Sequence, residues 1–232
     1  MRFAVLQFPG SNCDHDCVHA LKTVLRQKVD LVWHGESELP GGTDCVVLPG
    51  GFSYGDYLRC GAVARFANIM GAVREHARRG GLVWGICNGF QILTESRLVP
   101  GVLMRNRDLK FLCRDVHVRV ERGGTPFAGP SAVGRVLRLP IAHGEGNYFC
   151  EPDTLKGLQD RGQILLRYCG PDGRRGPEAN PNGSLDDIAG VVNERGNVLG
   201  MMPHPERVCE DAVGGTDGRV LFESALEALS TR

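Results

Sequence analysis

Four short apolar runs alternate with segments of helical periodicity in the first hundred residues, and this alternation restricts the fold more than any other feature of the chain. Arg2–Phe8 (RFAVLQF) is stopped by Pro9-Gly10, and Leu31–Trp33 follows. Cys45–Leu48 is stopped by Pro49-Gly50-Gly51, and Leu82–Trp84 follows Gly80-Gly81. Runs this short and apolar predict buried strands. Between them, Ser11-Asn12 offers a helix cap ahead of Val18, Leu21, Val24 and Leu25. Ala62–Ala77 repeats Val63, Phe66, Ile69 and Val73, and Phe90–Leu98 follows the fourth run. Successive βαβ units predict an α/β fold, a mostly parallel central sheet with helices on both faces.

The second half changes character. Asp115–Glu121 (DVHVRVE) alternates as a half-exposed strand does, and Val136–Ile141, Gly190–Asn193 and Val198–Met201 are further short strands. These predict an antiparallel extension and return of the same sheet, so one domain over residues 1–232. Residues 170–183 (GPDGRRGPEANPNG) predict a long loop, and Arg219–Leu229 a closing helix. Lys+Arg and Asp+Glu both total 27, which gives no broad basic surface for a nucleic-acid backbone. Nine cysteines with no paired CxxC motif argue for reduced thiols in a cytoplasmic protein and against a zinc site, so no metal is expected. The opening MRFAVLQFPG is too short an apolar run for a signal peptide, and no run approaches the length of a membrane span.

The sharpest local signal is Gly85-Ile86-Cys87-Asn88-Gly89, directly after a strand and before a helix. It is the G-x-nucleophile-x-G elbow with sulfur for the serine oxygen. A tight strand-to-helix turn pushes the nucleophile out at the carboxyl end of the sheet, and the helix start favours a thiolate. The other eight cysteines read as small buried hydrophobes. A cysteine nucleophile needs a base. Among seven histidines, His204 stands apart in Met202-Pro203-His204-Pro205-Glu206-Arg207: two prolines fix its backbone, and Glu206 is near enough to orient the ring. His143, in His143-Gly144-Glu145-Gly146, is either a residue at the edge of the site or part of a structural loop. Donors for a tetrahedral oxyanion are expected from the N–H of Asn88, next to the nucleophile, and from the glycine amides of Pro49-Gly50-Gly51.

PGG ahead of GxCxGxQ, with HPE near the C-terminus, resembles the class I (triad) glutamine amidotransferases. FPGSNCDHD, GGFSYGDYLRCGA, WGICNGFQIL, HGEGNY, NPNGS and GMMPHPER extend the likeness over nearly the whole chain, toward the glutaminase subunits of an ATP-dependent C–N ligase of purine biosynthesis. The resemblance implies a flavodoxin-like three-layer fold. It implies that Cys87 attacks the carboxamide of L-glutamine, that His204 moves the proton and that Glu206 orients His204. Gly51 and Asn88 would supply oxyanion or substrate amides, and Gln91 would help hold glutamine, a role that rests on the resemblance alone. It also implies a large synthetase subunit and a small accessory subunit as partners.

No GxxxxGK[ST] loop appears, so no cofactor is expected in this chain, and ATP and Mg would belong to the synthetase. The run Phe52–Arg59 (FSYGDYLR) is a candidate docking surface or lid. Two other readings compete: a stand-alone cysteine γ-glutamyl hydrolase, and a catalytically idle module with an oxidisable thiol.

Overall fold

In a computed structural model, described over residues 1–230, the parallel strands predicted from the four apolar runs lie side by side. They are β1 (Arg2–Gln7), β2 (Lys28–Trp33), β3 (Cys45–Leu48) and β4 (Leu82–Ile86). The later strands are β5 (Val102–Met104), β6 (Leu112–Val120), β7 (Val136–His143), β8 (Asn147–Phe149), β9 (Ile164–Cys169), β10 (Ile188–Val192) and β11 (Val198–Met201). Among the described residues the main sheet has nine strands in the order β2-β1-β3-β4-β11-β10-β9-β6-β7, and β5 and β8 form a separate ribbon.

Its first five strands, through β11, are parallel; from β11 to β7 every pairing is antiparallel. The fully buried runs in β3, β4 and β11 explain their apolar composition, since a parallel strand covered on both faces has no polar side to show. Below them Trp84 packs against Phe127 and Phe222 at ring distances of 5.5 and 4.5 Å.

The helices are α1 (Asp14–Val18), α2 (Ile69–Arg78), α3 (Asn88–Glu95), α4 (Pro152–Asp160) and α5 (Arg219–Ser230). Two differ from expectation. Ser11 does not cap α1; its hydroxyl accepts from the Phe8 amide, and α1 passes into a π-helical turn over His19–Val24. The helix expected over residues 62–77 begins only at Ile69. Ala67 is extended (ψ 145°), and the Ile69 amide donates to the His34 carbonyl, which stops helical bonding from continuing backward. Phe66, which carried the apparent period, is 72% exposed.

Helix α4 and strands β5, β8 and β9 were not anticipated. The 170–183 loop is pinned at its far end. Asn180 Oδ1 accepts from the amides of Gly183 and Ser184, and Arg175 pairs with Asp186 and Asp187 at 2.5 and 2.7 Å.

Register does the work of assembling the site. Ile86 lies opposite Met201 in the parallel β4–β11 pair, so the residues that follow each strand emerge at the same sheet edge. The Cys87 amide donates to the Met201 carbonyl (2.8 Å), and the His204 amide to that of Pro140 in β7 (2.9 Å). Strand β3 pairs in parallel with β4, so Pro49-Gly50-Gly51 leaves the sheet at the same end. Open α/β sheets place their sites there.

Candidate active site

The elbow is as sharp as its sequence demands. Cys87 sits at φ 51°, ψ −106°, a conformation costly for a residue with a side chain and typical of sites held by their surroundings. Gly89 has no room for a β-carbon, which would overlap the Leu48 carbonyl oxygen, so only glycine lets α3 pass so close to β3. Helix α3 is buried from Asn88 to Thr94 and packs on β3, β4 and β11. As the first residue of α3, Asn88 has an amide that no helical carbonyl can satisfy, which leaves a donor beside the sulfur.

Cys87, His204 and Glu206 are nearly sealed from solvent, at 4, 1 and 3% exposure. His204 Nδ1 and Glu206 Oε1 are 2.6 Å apart. His204 Nε2 has no hydrogen-bond partner among the described residues, so the nitrogen not committed to Glu206 is the one available for proton transfer. Burial disfavours the imidazolium. The Glu206 carboxylate, with smaller contributions from the sulfurs of Cys87 and Cys13, more than offsets this and raises the His204 pKa well above the usual value.

Gly50, not Gly51, is the glycine that touches this pair. A β-carbon there would stand 2.7 Å from His204 Cε1, 3.0 Å from Cys13 Sγ and 3.4 Å from Cys87 Cβ. Gly51, at φ 140°, bridges to Ser11 and packs against the Ser11-Asn12 backbone. The Asn88 side chain spans the site: Oδ1 accepts from the Ser53 amide (3.2 Å), while Nδ2 donates to Gln91 Oε1 (2.9 Å). Gln91 in turn donates to the Glu145 carbonyl at 2.6 Å. Both ends of the Gln91 amide are thus used within the protein, which makes it a brace between α3 and the His143–Gly146 turn.

His143 lies in the same wall, 3% exposed, with Nδ1 3.0 Å from Asn106 Oδ1 and Nε2 unpartnered. Burial, reinforced by the nearby His204, pushes its pKa down to about 3. Three contributors escaped the sequence reading. Asn106 holds His143 and donates to the carbonyls of Lys110 and His143. Tyr168, in β9, is fully buried; burial with the Cys87 sulfur nearby raises its pKa, and its hydroxyl accepts from Asn182. The Ala142 carbonyl receives the Cys87 thiol at 3.6 Å. An isolated Asn, Tyr or Ala carries no positional signal, so only the fold reveals them.

A cavity of about 460 Å³ between Arg97, Pro100, Arg161 and Arg195 lies elsewhere, beyond the turn that leads into β11. The candidate site is therefore defined by its side chains. Beside it runs Phe52–Arg59, bonded to the Asn88 side chain through the Ser53 amide and Asp56, where Tyr54, Asp56 and Leu58 all have positive φ. Tyr57 is 77% and Leu58 92% exposed, and Phe52 stacks on Phe111 at 6.4 Å.

The His143 environment sets a pH dependence. The unfolded chain takes up a proton on this residue below about pH 6.5, and the folded chain refuses it until about 3. Its contribution to stability is therefore whole above pH 6.5 and lost progressively as pH falls toward 3, with an upper bound of roughly 5 kcal/mol. Urea melts between pH 7 and 5 are expected to show a smaller loss per pH unit in His143→Gln than in the parent; equal slopes would refute this.

Comparison with known proteins agrees with the geometry. The model of the CobB/CobQ-like glutamine amidotransferase domain family matches residues 1–215. The chain is 58% identical, over 100% of its length and 99% of the relative's, to the phosphoribosylformylglycinamidine synthase subunit PurQ of Rhodopseudomonas palustris strain HaA2. It is 57% identical to the PurQ of Moorella thermoacetica, over 98% of this chain and 96% of the relative. Among solved structures it resembles a chain of PurLQS from Thermotoga maritima, with TM-score 0.86, 42% identity and 98% of both chains covered. A glutamine amidotransferase from the same organism, at 16% identity and TM-score 0.57, covers 100% of this chain and 92% of that one and shares the fold.

Proposed function

From a chain that belongs to the CobB/CobQ-like glutamine amidotransferase domain family, we infer the glutaminase subunit of phosphoribosylformylglycinamidine synthase. It hydrolyses L-glutamine to L-glutamate and ammonia. The ammonia goes to a synthetase subunit that converts formylglycinamide ribonucleotide to formylglycinamidine ribonucleotide with ATP, a step of purine biosynthesis. The observation that carries this reading is the thiol at the strained elbow beside a buried imidazole–carboxylate pair. Near-complete identity of span with the PurQ relatives selects the pathway.

The roles follow from the chemistry. Cys87 sulfur attacks the carboxamide carbon of glutamine. The developing oxyanion is met by the amides of Asn88 and Gly51. His204 gives a proton to the departing nitrogen, which leaves as ammonia, and then draws one from the water that attacks the thioester; glutamate departs and the thiol is restored. Glu206 holds the ring and balances its charge. His143, kept neutral by burial, lines the wall. ATP and magnesium ion belong to the synthetase, and the working compartment is the cytoplasm.

The exposed Tyr57-Leu58 tip, on a segment tied to the Asn88 side chain through Ser53 and Asp56, supports docking of the synthetase beside the site. Glutaminase activity is then expected to be weak for the isolated chain and to rise at least tenfold when the synthetase, the accessory subunit and their nucleotides are added. Leu58→Asp is expected to weaken that association by roughly one to two orders of magnitude, because it places a charge in an apolar contact. Both are read by titration of the partner in a glutamate-release assay, with alkylation of Cys87 by a diazo-ketone glutamine analogue, followed by mass, as the check on the isolated site. Full activity without a partner would instead favour the γ-glutamyl hydrolase.

A further inference from the structure

A second thiol lies against the catalytic imidazole. Cys13, 2% exposed, follows β1 at the N-terminal edge of α1, and its sulfur, a nitrogen of His204 and a carboxylate oxygen of Glu206 lie within 4.8 Å of one another. Its contacts tie the site together from behind. The Cys13 amide donates to the Gly50 carbonyl at 3.3 Å, in the loop that passes beneath Cys87 and His204. The sulfur accepts a hydrogen bond from Arg207 Nη2 at 2.9 Å, and lies 3.2 Å from Asn12 Oδ1, which accepts the thiol proton. Arg207 is itself held by Asp16 at 3.4 Å. With its proton turned toward Asn12 and its lone pairs toward a guanidinium and an imidazole, the sulfur presents negative charge density to His204.

Resting on the glutaminase reading, we propose that Cys13 is a positioning residue of the reaction, whose sulfur, anchored by Arg207, backs the His204 ring and holds it toward Cys87. A ring tied at one nitrogen to Glu206 can still pivot about that bond, and a large, polarisable sulfur packed beside it removes that freedom. The same sulfur favours the imidazolium, in line with the direction of the His204 shift. The charged and titratable groups facing His204 are Glu206 and Arg207 on its own segment, Cys87 from the β4–α3 elbow, Cys13 from the β1–α1 loop and His143 from the end of β7. Cys13 and Arg207 are the members of this set to which the hydrolysis of glutamine assigns no role of their own, and they are hydrogen-bonded to each other.

The test is the pH profile of glutamine hydrolysis in the assembled enzyme, with Cys13 replaced by Ser, Ala and Val. Cys13→Ala is expected to lower kcat about tenfold with KM little changed. It should also move the alkaline limb, where the imidazolium is lost, down by about half a unit to one unit. Cys13→Ser, whose hydroxyl still accepts from Arg207, should restore most of the rate and bring the limb back toward its original place. Valine, similar in volume, stands in if alanine does not fold. An alkaline limb that stays put in Cys13→Ala or Cys13→Val, whatever happens to the rate, overturns the proposal. Loss of Cys87 alkylation by the glutamine analogue in the unsubstituted chain would instead count against the glutaminase reading itself.

Discussion

Cys87→Ala in the assembled enzyme abolishes glutamine-dependent synthesis, a loss on the order of 10⁴-fold or more, while added ammonium still drives the ligase step. The expectation follows from what the residue does and does not touch. Its sulfur contacts the Ala142 carbonyl and stands beside His204, all inside this chain. Removing one sulfur atom from a small buried position leaves the hydrogen bond from the Cys87 amide to the Met201 carbonyl intact, so β4 and β11 stay paired. The lesion is therefore confined to ammonia production. Rates with glutamine and with ammonium, measured on the same preparation, decide the matter; loss of both would place Cys87 in assembly or in the ligase step.

Gly50→Ala is the second large effect, and a more diagnostic one. The new methyl would stand 2.7 Å from His204 Cε1 and 3.0 Å from Cys13 Sγ, closer than carbon and sulfur approach one another without a shift. No flexible tip is available to yield, because the ring is tied to Glu206 and the thiol to Arg207. A displacement approaching an ångström between nucleophile and base costs roughly 10²-fold in kcat. The φ of Gly50 lies outside the left-handed region, so the backbone tolerates alanine and the fold should hold. Glutamine-dependent kcat is expected to fall by about 10²-fold or more with ammonium-dependent synthesis retained, and the melting temperature to drop by several degrees, as overpacking by about 1–3 kcal/mol implies. A mild loss, under about threefold, would mean the imidazole has room to spare.

Much of this was legible in the sequence because local chemistry and global placement agree. An elbow needs small residues on either side of its nucleophile, and Gly85 and Gly89 answer to steric limits that the structure makes explicit. The HPE segment announces an oriented base because proline and a nearby carboxylate are uncommon company for a surface histidine. What stayed hidden depends on tertiary contact. The helix over residues 62–77 had the right period, but Phe66 faces solvent and the His34 carbonyl claims the Ile69 amide. Strand β9 has a weak sequence signal between two louder ones, although Tyr168 approaches the site from there. Gln91 illustrates the opposite case. The motif names it, but only the fold shows that its amide joins the Asn88 side chain to the Glu145 carbonyl. Cys13 was one thiol among nine until Gly50 and Arg207 showed what surrounds it.

The insertion of β11 between β4 and β10 has a consequence for synthesis on the ribosome. Strand β4 and its thiol emerge when less than half the chain has been made. The imidazole and carboxylate arrive with residues 204–206, and the strand that carries them is also the one that joins the parallel half to the antiparallel wing. Pairings across so long a stretch of chain form late. The nascent protein therefore carries an elbow without its imidazole and carboxylate neighbours until translation is almost finished, and the same closing event that completes the sheet brings the three side chains together.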